Sequence, residues 1–94
     1  MKKVAIIVRH PQRHFEALRS SLGCLLENLE VSYVVLDDEI RPDAAFLENL
    51  SFLEEMEGLR YSNQPANAEK YGFTFMTPAQ MGELLRLQDI VIPF

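Results

Sequence analysis

A chain of 94 residues is enough for one domain and too short for two, because neither half could bury a core of its own. A hydrophobic fraction of 48% is near the globular average and excludes a disordered acidic tail. The net charge of −5 and the single scattering of Arg9, Arg13, Arg19, Arg41, Arg60 and Arg86 leave no basic stripe, so nucleic acid is not an expected partner.

Cys24 is the only cysteine, so no intramolecular disulfide can form, and a reducing, cytoplasmic location is expected. Met1-Lys2-Lys3 precedes an apolar run, Val4 to Val8, that ends at Arg9 and His10, too short for a secretory signal core. No stretch approaches the ~20 apolar residues that span a bilayer, so no membrane partner is expected. Asn49-Leu50-Ser51 matches a glycosylation sequon that has no meaning in a cytosolic chain.

Lys3 to Val8 is an unalternated aliphatic run, the pattern of a strand covered on both faces in a parallel sheet. His10-Pro11 ends it, since proline lacks an amide donor and holds its predecessor extended. From Gln12 to Asn28 the spacing of Phe15, Leu18, Leu22, Leu25 and Leu29 predicts a helix, with Leu26 widening its apolar stripe. Gly23 inside this helix suggests close approach to a neighbour. Glu30 to Leu36 returns to strand character and stops at Asp37-Asp38-Glu39.

A second helix opens at Arg41-Pro42-Asp43, with Asp43 as cap or first-turn acid. Phe46, Leu47, Leu50, Leu53 and Met56 form its stripe, and Gly58 ends it. Leu59 to Ser62 reads as a third strand and Asn63 to Gly72 as a loop with room for one helical turn. Phe73-Thr74-Phe75 is a fourth short strand. Thr77-Pro78 starts a last helix with Met81, Leu84 and Leu85 inward. Asp89 to Phe94 is the fifth strand. Strands alternating with helices predict one α/β domain over residues 1–94, built on a mostly parallel sheet.

In such sheets ligands gather where the strands' carboxyl ends meet helix amino-termini. That rule selects Arg9, His10, Arg13 and His14 after the first strand, Asp37 and Asp38 after the second, and Ser62, Asn63, Gln64 and Asn67 after the third. His10 and His14 are four apart, but Pro11 keeps His10 out of a helix and two ligands fall short of what zinc needs. No metal or cofactor is expected. The Asp37-Asp38-Glu39 cluster reads as a solvated turn, and Cys24, mid-helix, as a small apolar residue. No glycine-rich loop follows the first strand, which leaves Arg9 and Arg13 as the best anion-binding clue.

Phe15-Glu16-Ala17-Leu18-Arg19-Ser20-Ser21-Leu22-Gly23 resembles the first helix of the DsrE-like family of small sulfur-relay proteins. Val31 to Asp38 resembles that family's second strand and its acidic end. Thr77 to Leu85, followed by Asp89 to Phe94, resembles its closing helix and strand. The likeness is one of pattern over nearly the whole chain. It implies a three-layer sandwich, a mostly parallel five-stranded sheet with helices on both faces, and homo-oligomers or hetero-oligomers with related subunits.

The family relays sulfur as a persulfide on a cysteine just after the third strand, where a thiolate is the right nucleophile. Here that region reads Tyr61-Ser62-Asn63-Gln64-Pro65, without cysteine. The expected function is therefore a non-catalytic partner or small-ligand binder in sulfur-related metabolism, using Arg9, His10, Arg13, His14, Asp37, Ser62 and Asn63. Two alternatives stay open: a sulfurtransferase with an exposed Cys24, or an enzyme using His10 or His14 in a pocket formed by the three loops.

Overall fold

The computed structural model describes all 94 residues, Met1–Phe94. The strands are β1 (Lys3–Val8), β2 (Glu30–Val35), β3 (Leu59–Ser62), β4 (Thr74–Phe75) and β5 (Ile90–Pro93). The helices are α1 (His14–Leu26), α2 (Ala44–Glu55), α3 (Pro65–Tyr71) and α4 (Pro78–Arg86), with a 3-10 turn over Pro11–Arg13. All strand pairs are parallel and the sheet order is β4-β3-β2-β1-β5. The chain steps outward from β1 to β4 and then returns past the whole sheet to β5. Right-handed crossovers therefore lay α1, α2 and α3 on one face and α4 on the other, giving three layers.

Parallel register assigns side chains to faces. Lys3↔Glu30 to Val8↔Val35 pair in step, so Val4, Ile6 and Val8 share a face with Val31, Tyr33 and Val35. That face packs on Ala17 and Leu18 of α1 and on Phe46, Leu50 and Leu53 of α2, and all are buried. The opposite face is thinner. Ala5, Ser32, Val34 and, from α4, Met81 are its buried residues.

Caps set the helix starts. Asp43 accepts from the Phe46 amide at 2.8 Å, as expected of it. Thr77 and Gln80 form a reciprocal capping box ahead of α4, with Pro78 in the first turn. Pro11 does not start α1 directly: it opens the 3-10 turn, and the α-helix begins only at His14. The segment read as a loop after Asn63 is largely a seven-residue helix, α3, opened by Pro65 and closed by Gly72 at φ +73°. Its shortness hid it from periodicity.

Two side-chain expectations and two about glycines are corrected. Leu26 is 77% exposed and does not extend the α1 stripe, because that flank of the helix meets no neighbour. Leu47 is likewise exposed rather than part of the α2 stripe. Gly23 is no point of close approach, since a Cβ there would meet nothing within 4 Å. The close approach is at Gly58, where a Cβ would lie 2.7 Å from Leu53 Cδ1 and 2.9 Å from Leu25 Cδ1. Helix α2 has already ended at Glu55, and Glu57 takes the left-handed conformation at φ +64°.

Candidate functional site

The carboxyl ends of β1, β2 and β3 share one rim, and side chains from the third loop clamp the second. Ser62, last in β3, is buried and donates to the Val35 carbonyl at 2.7 Å. Its oxygen accepts from the Gln64 amide at 3.1 Å and from Asn67 Nδ2 at 3.1 Å. Asn67 is fully buried. Its amide also donates to the Asp38 carbonyl at 3.0 Å, and its Oδ1 accepts from the Ile40 amide at 2.9 Å. A buried amide in which both ends are used holds loop and helix in one geometry.

The outer half of the clamp centres on Asp37, whose backbone is left-handed at φ +73°. Asn63 Oδ1 accepts from the Asp37 amide at 2.7 Å, and Asn63 Nδ2 donates to Asp37 Oδ1 at 3.1 Å. Gln64 Nε2 donates to the Asp37 carbonyl at 3.0 Å, and Arg9 Nε reaches Asp37 Oδ2 at 3.1 Å. These contacts hold a conformation that aspartate adopts more readily than most residues. Arg9, Asp37 and Asn63 border a cavity of about 390 Å³ beneath α4, but there they are turned toward one another.

A second cleft, of about 360 Å³, opens between the amino-terminal ends of α1 and α2. Both loops leave the sheet toward the same face, which brings Pro11, Gln12, His14 and Phe15 opposite Arg41, Asp43 and Phe46. The volume lies at the lower end of small-molecule pockets. Phe15 and Phe46 have ring centroids 6.1 Å apart and are tilted by 51°. Arg41 is the cleft's one cation and takes part in no ion pair.

His14 is the most buried residue lining the cleft, at 4% exposure, and its Nε2 has no hydrogen-bond partner. A buried polar nitrogen left unpaired costs about 1–3 kcal/mol of desolvation. Burial lowers the imidazole pKa from its ordinary 6.5, and the nearby Asp38 charge offsets only part of this. The ring is thus neutral at pH 7. The Tyr33 hydroxyl donates to the His14 carbonyl at 2.8 Å, fixing the first turn of α1 over the sheet. Burial pushes the Tyr33 pKa far up, so that donor keeps its proton.

The other expected site residues are placed differently. His10 is exposed and its carbonyl closes the 3-10 turn by accepting from Arg13 at 2.9 Å. Arg13 pairs with Glu16 at 3.0 Å and lies 4.9 Å over the ring of Phe94, whose amide follows β5 and donates to the Ile7 carbonyl of β1 at 2.7 Å. The ends of β1 and β5 are where the strand order reverses, the usual ligand crevice of open α/β sheets. No three His, Cys, Asp or Glu side chains are placed to hold a metal ion. Cys24 is partly exposed and lies ten residues along α1 from His14, about 15 Å from the rim at 1.5 Å per residue.

Sequence reasoning therefore reached His14 but missed Gln12, Phe15, Arg41 and Phe46 as its cleft neighbours. Phe15 and Phe46 read as core on helical spacing, and nothing local in Arg41-Pro42 marks a binding loop. Their pairing depends on α1 and α2 lying side by side, which no single segment encodes. No helix is long and apolar enough to cross a membrane. No family model, characterised protein or solved structure matches this chain.

Proposed function

We propose that this chain is a non-catalytic DsrE-like protein that binds a small molecule at the His14 cleft and works as an oligomer in sulfur-related metabolism. The observation that carries the binding reading is a cleft at the strand rim of about 360 Å³, walled by Phe15 and Phe46, in which Arg41 has no ion-pair partner. The five parallel strands with helices on both faces agree with what the resemblance implies.

The non-catalytic part rests on where sulfur chemistry would have to occur. Ser62 occupies the strand end, is buried, and spends its hydroxyl on Val35, Gln64 and Asn67. It has no thiol to carry a persulfide, and neither has any other residue of the rim. Thermal-shift screening against small organic anions should give stabilising compounds whose effect disappears in Arg41→Gln. A library without one such compound would refute the binding reading.

Partial exposure of Cys24 favours a second reading, in which this thiol accepts sulfur. Incubation with a persulfide donor and intact-mass analysis separates the two. Unmodified protein supports the first, and a stable gain of one sulfur atom on Cys24 establishes the second. The oligomer is self-association or pairing with related subunits along β5, whose Ile90, Val91 and Ile92 are exposed on a free sheet edge. Sedimentation of a monomer at micromolar concentration would contradict the homo-oligomer.

A further inference from the structure

We infer that the end of the molecule opposite the cleft, where α1 and α2 finish, docks a basic peptide segment of a partner protein, with an aliphatic side chain seated between the two helix ends. Both helices run back against the strands and stop at the amino-terminal edge of the sheet, at Leu26 and Glu55. There Met1, Leu25, Leu29, Met56 and Leu59 supply the apolar lining of a groove of about 370 Å³. The helix ends meet closely, since a Cβ on Gly58 would lie 2.9 Å from Leu25 Cδ1, and Leu59 at the margin is 42% exposed.

The charge around this groove selects the partner. Glu27 follows the last turn of α1, Glu55 ends α2, and Glu30 and Glu57 line the groove itself. All four are exposed, and none takes part in an ion pair or accepts a side-chain hydrogen bond. Neither helix has a basic residue in its last turn, so the negative ends of two dipoles add to these carboxylates. The cations of this edge are Lys2, Lys3 and the Met1 amino group. Lys3 stands opposite Glu30 in the β1–β2 register, and none of the three forms an ion pair. The balance at the helix ends stays negative.

Glu57 is also set against its own backbone preference. Its φ of +64° is a conformation that favours glycine or asparagine, and Asn28 takes it at the end of α1. A glutamate held there, beside a helix carboxyl end, weakens the fold and gains only if a cation arrives from outside. Acids spread over both helix ends around an apolar floor match basic residues interleaved with aliphatic ones. A single small cation spans only one of them.

The test is a titration of the isotope-labelled full chain with short synthetic peptides, read from its backbone amide NMR signals. A peptide alternating lysine and leucine carries both features, one alternating lysine and serine carries the charge alone, and spermidine is the small cation. The lysine–leucine peptide should shift Leu25, Leu29 and Leu59 and bind at least tenfold more tightly than the other two. Glu57→Gly should weaken it at least threefold while raising the melting temperature, whereas loss of a merely structural glutamate would lower that temperature. Equal binding of the lysine–serine peptide or of spermidine, or an affinity unmoved by Glu57→Gly, overturns the docking surface. Shifts centred on Asp37 to Glu39 instead, or no binding of the lysine–leucine peptide, overturn it as well. The α1–α2 cleft at the opposite edge is read separately, through Arg41→Gln, and stands or falls on its own screen.

Discussion

Strands β2 and β5 are both rich in β-branched residues, yet Val31 to Val35 are all buried whereas Ile90 to Pro93 are all exposed. The difference lies in position. β2 has strands on both sides and α1 and α2 above it, while β5 is an edge with β1 as its single neighbour. An aliphatic run thus reports that a segment suits a sheet, and sheet order decides how much surface it hides. In β5 the surplus is exposed apolar edge, the kind of surface a second chain covers.

The sharpest way to break this comparison uses one substitution on two neighbouring residues. Ile6 and Ile92 face each other across the β1–β5 ladder, at 0% and 36% exposure. Ile6→Ala should cost about 2–5 kcal/mol, as large-to-small changes in packed cores do. Ile92→Ala should cost about 1 kcal/mol or less. Denaturant titration measures both. A cost for Ile92→Ala that rises with protein concentration would show the edge buried by another copy, and equal costs at every dilution would end the edge assignment.

A smaller effect separates the two halves of the rim clamp. Asn67→Ala leaves the Ile40 amide and the Asp38 carbonyl without their partner and should cost about 2–3 kcal/mol. Asn63→Ala touches only exposed contacts to Asp37 and should cost below about 1 kcal/mol. Chemical denaturation of the pair tells whether burial, rather than the number of hydrogen bonds, sets the strength of the clamp.

The cleft contributes a pH dependence of defined sign. The unfolded imidazole of His14 takes up a proton near pH 6.5, while the folded one does so only at lower pH. Between those values the unfolded state binds more protons, so stability falls as pH drops through that window and is level above it. His14→Phe should flatten this part of the profile. Melting temperatures from pH 8 to pH 5 for both proteins check it, and superimposable curves would contradict the burial of His14.

The smallest effects come from the glycines. Gly23→Ala should stabilise by about 0.5–1 kcal/mol, because α1 gains helix propensity and the new methyl meets open space. Gly58→Ala should destabilise, since its methyl would press on Leu53 and Leu25. Melting temperatures moving in the same direction for both would show that backbone freedom outweighs packing at Gly58.

Much of the architecture was legible in local chemistry. Runs such as Val4 to Val8 have no alternation to suggest a half-exposed strand, Thr77-Pro78 carries its own cap, and Asp43 caps as its position implies. The site was legible only in outline. Strand ends point to the rim residues Arg9, Asp37, Ser62 and Asn63, but Arg9 and Asn63 both bind Asp37, and Ser62 is bonded internally. His14 was named as one of a pair with His10, and the structure gives it different company.

By itself the sequence determined the kinds of segments, their order and their caps, because these depend on interactions within a few residues along the chain. The tertiary structure alone decided which strand became an edge, which glycine was crowded and which side chains met across the α1–α2 cleft. Those outcomes depend on the order of strands in space and on the face each crossover takes. Both are fixed by contacts between residues far apart in the chain, such as Tyr33 with His14 and Asn67 with Ile40.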